Sequence, residues 1–229
     1  MEQLHNGFEL SLCEGAFPLS TDSMALAHFA RLPKAARVLD LGSGCGTLGL
    51  MLCAKDSNCH VTGVEIHPTA HETAMDNARR NGIADRLTSI CADLTGIPTL
   101  LEPGSFDVCI SNPPYFTGGP RSKTVPDARQ ENLCDLNALF TSAAWALRYG
   151  GDFFLVHRPE RLAQLCAVGA SHKLEAKRLC LLRHKADGPV SLVLVQFRKG
   201  AKPGLIWEEA ALHDSHGAVT DFYRALYHC

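Results

Sequence analysis

Ser111-Asn112-Pro113-Pro114-Tyr115 brings together residue types that could hold a planar group carrying an NH2. The Asn112 side-chain oxygen and the Pro113 carbonyl could each accept one amine hydrogen, and Tyr115 could stack on the ring. An exocyclic amine is a weak nucleophile because its lone pair is delocalised into the ring. Two acceptors set out of the ring plane would favour a pyramidal nitrogen and turn that lone pair towards an electrophile. The plainer reading of the same residues is a rigid loop start, since Asn-Pro and Pro-Pro are common turn punctuation. Pro113 and Pro114 remove backbone donors and bias the residues before them to extended geometry. Context therefore decides between the two.

The stretch follows Phe106-Asp107-Val108-Cys109-Ile110, an apolar run that reads as a buried strand. Upstream, 37–41 reads as another buried strand running into Gly42-Ser43-Gly44-Cys45-Gly46 and then an apolar helix over 47–54. Strand, glycine loop and helix open a nucleotide-binding βαβ unit, in which glycines let the backbone approach a ligand closely. Gly44, Gly46 and Gly49 also fit dinucleotide spacing, so a nicotinamide reading has to be weighed. A second strand over 60–65 ends in Glu65, placed to accept both hydroxyls of a ribose. A helix over 68–81 closes on Gly82, and a third strand over 87–92 ends in Asp93-Leu94, an acid and an apolar residue suited to an adenine.

The remaining chain supplies the frame. A short strand over 8–12 precedes a helix capped by Thr21 or Asp22 and ending near Pro33. Residues 116–131 form a long polar loop, read as a substrate loop because it begins at the proposed reacting group. A helix over 132–149 ends at Gly150-Gly151, a strand covers 152–157, and a helix covers 159–170. Strands over 176–182 and 190–198 are joined by too few residues for a crossover helix and must pair antiparallel. With no repeat or linker, 1–229 reads as one α/β domain with a leader strand and helix in 1–36.

A formal charge of −2 excludes a strongly basic nucleic-acid binder, so any such partner must meet a local patch. No apolar run approaches membrane-spanning length and the first residues do not begin a signal peptide, so a cytoplasmic protein is expected. The ten cysteines form no C-x-x-C pair, and Cys53, Cys91, Cys109, Cys166 and Cys180 sit in apolar runs, which favours buried thiols over disulfides or zinc. His67 and His71 have helical metal spacing, but Pro68 stands where zinc proteases carry glutamate; no metal is expected.

Val38-Leu39-Asp40-Leu41-Gly42-Ser43-Gly44-Cys45-Gly46, Val64-Glu65-Ile66-His67, Ala92-Asp93-Leu94 and Asn112-Pro113-Pro114-Tyr115 resemble the four motifs of class I S-adenosylmethionine-dependent methyltransferases. Nicotinamide enzymes rarely place an acid two residues before the first glycine. The resemblance implies a seven-stranded, Rossmann-like, mostly parallel sheet with an antiparallel last strand. Over nearly the whole chain the sequence is similar to the bacterial tRNA(Val) adenine N6-methyltransferase family. The features that carry this are Phe17-Pro18-Leu19-Ser20-Thr21-Asp22-Ser23, the continuation Tyr115-Phe116, and the tail over 213–222.

That resemblance implies S-adenosylmethionine held by Asp40 (amino group), Gly42, Gly44 and Gly46 (close approach), Glu65 (ribose), and Ile66, Asp93 and Leu94 (adenine). It places Thr21 and Asp22 near the methionine end and Asn112 beside both cofactor and substrate. It implies catalysis by Asn112, Pro113, Pro114 and Tyr115. The substrate is an RNA, tRNA in particular, met by Phe116, Arg121, Lys123 and Arg129, with Arg183 and Lys185 as further phosphate contacts. Rival readings are a protein-glutamine N5, a ribosomal-RNA guanine N2 or a DNA adenine methyltransferase, and, outside enzymes, a cofactor-binding scaffold that activates a partner.

Overall fold

A computed structural model describes residues 2–4, 7–114 and 136–227. Two short strands, β1 (Glu2–Gln3) and β2 (Glu9–Leu10), pair antiparallel ahead of helix α1 (Thr21–Phe29). Beyond β2 the leader is held by side chains. Asn77 and Asn81, one helical turn apart, exchange hydrogen bonds with the backbone of Ser11 and Glu9 at 2.8–2.9 Å, so that their carboxamides stand in for a neighbouring strand. The strand expected over 8–12 is therefore only two residues long.

Strand β3 (Arg37–Leu41) leads through the glycine loop to α2 (Thr47–Lys55), and β4 (His60–Glu65) leads to α3 (Pro68–Arg80). Strand β5 (Leu87–Cys91) is followed by a 3-10 turn and the short α4 (Ile97–Leu100), and β6 (Phe106–Ser111) ends at the Asn-Pro-Pro stretch. Then come α5 (Leu136–Ala146), β7 (Leu147–His157), α6 (Leu162–Ser171), β8 (Leu174–Lys185), β9 (Val190–Lys199), β10 (Ile206–His213) and α7 (Asp221–Tyr227).

The main sheet runs β10-β8-β9-β7-β6-β3-β4-β5, and β9 alone is antiparallel to its neighbours. The sheet has eight strands, one more than expected. The extra one, β10, pairs parallel with β8 at the sheet edge, where Arg178 and Arg183 bridge to Glu208 and Glu209. Its apolar residues do not alternate, and Ile206 and Trp207 stand 71% and 64% exposed, so period-2 patterning could not mark it. The antiparallel β8–β9 pair forms as its short connection required.

Alternate residues of the strands face two apolar layers. Val38, Val61, Val108 and Phe154 pack towards α1, α2 and α7, while Leu39, Cys109, Phe153 and Phe197 pack towards α5 and α6. By this alternation Asp40 shares the face of Val38. The α5 helix ends three residues earlier than expected because Leu147, fully buried, pairs with Phe106 as the start of β7. Of the five cysteines read as buried, Cys53, Cys109 and Cys180 are so, Cys166 is half-buried and Cys91 is exposed.

Strand order reverses between β3 and β6. Helix α2, which follows β3, and helix α5, the next described element after β6, pack on opposite faces of the sheet, and a crevice where such sheets bind ligands lies between the two strand ends. The glycine loop leaves β3 there, and Asn112 leaves β6.

Candidate active site

The glycine loop is pinned from two sides. The N–H groups of Gly42 and Ser43 donate to the Val64 carbonyl at 2.9 and 3.1 Å, and Gly44 N–H donates to Glu65 Oε2 at 2.8 Å. Gly42 and Gly44 have φ of +73° and +54°, and a Cβ on either would meet no atom within 4 Å. The backbone is thus exposed to open space on the side a side chain would fill, as a close-fitting ligand needs. Gly46 differs: its absent Cβ would lie 3.2 Å from Ala74, so its lack of a side chain also makes room for α3.

Beneath the loop lies Asp40, 1% exposed, with neither carboxylate oxygen partnered among the described residues. Burial, reinforced by the neighbouring Glu65 carboxylate, pushes its carboxyl up to about 8; the Gly49 N–H pulls weakly the other way without making a hydrogen bond. The Ser43 hydroxyl beside it is likewise buried and unpartnered among the described residues. Buried polar atoms left unpaired cost free energy that only a ligand, ion or water can return. A cationic amino group would suit these unpartnered oxygens in both charge and hydrogen-bonding sense.

Glu65, 7% exposed, accepts from Gly44 N–H through one oxygen and from His67 N–H through the other, both at 2.8 Å. Each oxygen keeps a second lone pair, so a ribose diol could be taken without reorganising the side chain. Ile66 follows as a 41% exposed apolar plate. Asp93 caps the 3-10 turn: its Oδ1 accepts from the Thr95 hydroxyl at 2.6 Å and N–H at 2.7 Å, bonds that hold the carboxyl below its ordinary value and leave Oδ2 for a ligand. Leu94 packs against the apolar layer under α5 and α6, and Ser142 donates to its carbonyl.

At the end of β6, the buried Ser111 hydroxyl donates to the Leu41 carbonyl at 2.7 Å and ties the two strand ends together. Asn112 is half-buried, and its Nδ2 donates to Ser23 Oγ at 3.0 Å. Pro113 is buried and Pro114 half-buried. Tyr115, Phe116, Arg121, Lys123 and Arg129 lie outside the described residues.

The helix expected to be capped by Thr21 or Asp22 is capped instead by Ser20, in extended backbone geometry and accepting from Ser23 N–H at 3.4 Å. Thr21 is thereby left free to hydrogen-bond through its hydroxyl with Tyr227 Oη at 2.7 Å, and Asp22 occupies the first helical turn. Ser23, which sequence reasoning did not single out, hydrogen-bonds to the Asn-Pro-Pro stretch from the leader. Ser111, though part of the opening stretch, carried no assigned role in the sequence either. Among four consecutive polar residues, 20–23, only the helix phase decides which one points at β6.

His71 Nδ1 pairs with Ser89 Oγ at 2.8 Å, and no group of three potential ligands gathers around a metal position among the described residues. Arg183 is engaged by the Gly188 carbonyl and Glu209, whereas Lys185 is exposed. A cavity of about 450 Å3, lined by Arg31, Arg148, Arg178, Arg198, Asp107 and Asp152, lies at the opposite ends of the strands from this site. No helix among the described residues is long and apolar enough to cross a membrane.

Comparison with known proteins agrees with this architecture. The chain superimposes on a predicted O-methyltransferase of Agrobacterium tumefaciens with TM-score 0.76 and 22% identity, covering 91% of this chain and 96% of that one. It superimposes on a geranyl diphosphate C-methyltransferase of Streptomyces coelicolor with TM-score 0.59 and 14% identity, covering 77% and 79%. These likenesses establish the fold. The tRNA1(Val) (adenine(37)-N6)-methyltransferase of Porphyromonas gingivalis is 30% identical over 201 residues, 83% of this chain and 78% of the relative. Its counterpart in Tolumonas auensis is 32% identical over 200 residues, 85% and 81%. The methyltransferase small domain family matches residues 21–166, and at these identities and coverages the chain belongs to the tRNA1(Val) (adenine(37)-N6)-methyltransferase family of S-adenosylmethionine-dependent enzymes.

Proposed function

We propose that the protein methylates N6 of an adenine in tRNA(Val), with Asn112 as the group that orients the reacting amine. The observation that carries this reading is the placing of the Asn112 carboxamide at the strand-order reversal, tied through Ser111 to the end of β3 and hence to the glycine loop. S-adenosylmethionine supplies an already electrophilic methyl on a sulfonium. What remains for the protein is to bind, orient and polarise.

Asp40 would take the cofactor's amino group, and Gly42, Gly44 and Gly46 its close approach; Glu65 would take the ribose, and Ile66, Asp93 and Leu94 the adenine. Thr21 and Asp22 belong at the methionine end. Asn112 Oδ1 and the Pro113 carbonyl accept the two amine hydrogens of the target base, so the nitrogen lone pair turns out of the ring. Pro114 stiffens the stretch, and Tyr115 stacks on a base that has left its neighbours, as an unpaired loop base can. Phe116, Arg121, Lys123 and Arg129 complete the substrate side. The whole of 1–229 acts as one unit in the cytoplasm, with no metal.

The test is transfer from labelled S-adenosylmethionine to an unmodified tRNA1(Val) transcript, followed by nucleoside analysis. N6-methyladenosine is expected. Label in guanosine, or transfer only to a glutamine of a release factor, would overturn the substrate assignment.

A further inference from the structure

We infer that Ser23 is a positioning residue for the methyl transfer, restraining rotation of the Asn112 carboxamide whose oxygen is presented to the substrate amine. The inference rests on Asn112 being the acceptor of that amine. A carboxamide has a donor edge and an acceptor edge of nearly the same shape, and rotation about its Cβ–Cγ bond exchanges them. With the edges exchanged, an NH2 would face the NH2 of the base, donor against donor. The Ser23 hydroxyl accepts from Nδ2 at 3.0 Å, and this bond must break before the carboxamide can turn.

Ser23 can do this because its own position is fixed. The residue is 8% exposed, and its backbone N–H is taken by the Ser20 cap. The far end of α1 is clasped by Lys55, whose ammonium donates to the carbonyls of Ala27, His28 and Ala30 at 3.0–3.3 Å. Lys55 ends α2, the helix that begins at the glycine loop. The near end of α1 is tied to α7 through Thr21 and Tyr227. Helix α1 is therefore a strut that sets the catalytic carboxamide relative to the cofactor loop.

The experiment is steady-state and single-turnover methylation of tRNA1(Val) by the full chain carrying Ser23→Ala, Ser23→Thr, Asn112→Ala and the double variant Ser23→Ala/Asn112→Ala. Ser23→Ala is expected to lower kcat about three- to tenfold, as loss of one neutral hydrogen bond of ordinary strength implies, with KM for tRNA and Kd for cofactor within about twofold of the parent. Ser23→Thr, which keeps the hydroxyl, restores kcat. In the Asn112→Ala background, Ser23→Ala has no further effect, because there is no carboxamide left to orient. A Ser23→Ala protein at parental kcat beside an impaired Asn112→Ala protein overturns the inference and leaves the site reading standing. A loss in Ser23→Ala that Thr does not rescue, or that appears in KM and melting temperature, also overturns it. Parental kcat in Asn112→Ala overturns the site reading itself.

Discussion

Replacing Asp40 by asparagine should stabilise the ligand-free protein at alkaline pH while destroying its hold on the cofactor. The carboxyl is 1% exposed, without a partner among the described residues, and pushed up from 3.8 to about 8, chiefly by burial and then by Glu65. Below about pH 4 both folded and unfolded chains carry it protonated, and it makes no pH-dependent contribution. Between there and pH 8 the unfolded chain releases this proton and the folded one keeps it, so stability falls as pH rises. Above about pH 8 the full cost is present. At about 1.4 kcal/mol per pH unit the interval corresponds to on the order of 5 kcal/mol. His157 acts oppositely over part of the range: burial pushes it down to about 4, so it destabilises the fold as pH falls below its ordinary value. That contribution is common to parent and variant and cancels in their difference. The assay is urea unfolding of both proteins at several pH values from 5.5 to 9, with and without S-adenosylmethionine. The parent should lose at least about 2 kcal/mol relative to Asp40→Asn between pH 5.5 and 8, and cofactor should raise the urea midpoint of the parent only. Parallel stability curves, or a variant less stable than the parent at pH 9, would refute the reasoning.

Three further perturbations follow from the geometry. Glu65→Ala leaves the Gly44 and His67 N–H groups without their carboxylate; stability should drop by about 2–3 kcal/mol and calorimetry should show cofactor affinity at least about a hundredfold weaker. Gly63→Ala would place a Cβ 2.5 Å from Ser43 Oγ and 2.8 Å from its Cβ, costing about 1–3 kcal/mol by denaturant unfolding, and Ser43→Gly in the same chain should recover much of that loss. Asn77→Ala removes a fully buried carboxamide that bridges Ser11 to the Cys45 carbonyl; about 2–3 kcal/mol should be lost, and hydrogen exchange should quicken at Ser11 while β3 stays protected.

The strands that carry the site were legible because their signals are local. Arg37–Leu41 and His60–Glu65 occur with the boundaries expected, since each is an apolar run stopped by a polar or glycine turn, and the acid at the end of each falls where the crevice opens. What escaped detection depends on contacts distant in sequence. Strand β10 is held at the edge by pairing with β8 rather than by its own pattern, and Leu147 is drawn into β7 by Phe106. The Ser20 cap, the Ser23–Asn112 bond across 89 positions and the Asn77 and Asn81 bridges to the leader each require the fold before the partner can be known. Asp40 was read as a cofactor ligand from its motif, but only its burial without a partner supplies a physical reason for one.

The most direct test of the account is the single-turnover rate of Asn112→Ala with saturating S-adenosylmethionine and tRNA1(Val), measured together with the dissociation constant of the cofactor. If the carboxamide orients and polarises the amine, the rate falls by about a hundred- to a thousandfold, the range for removing one preorganised polar group from a transition state, while the dissociation constant moves by no more than a few-fold. A rate within about threefold of the parent, or a loss of rate matched by an equal loss of cofactor binding, would contradict it.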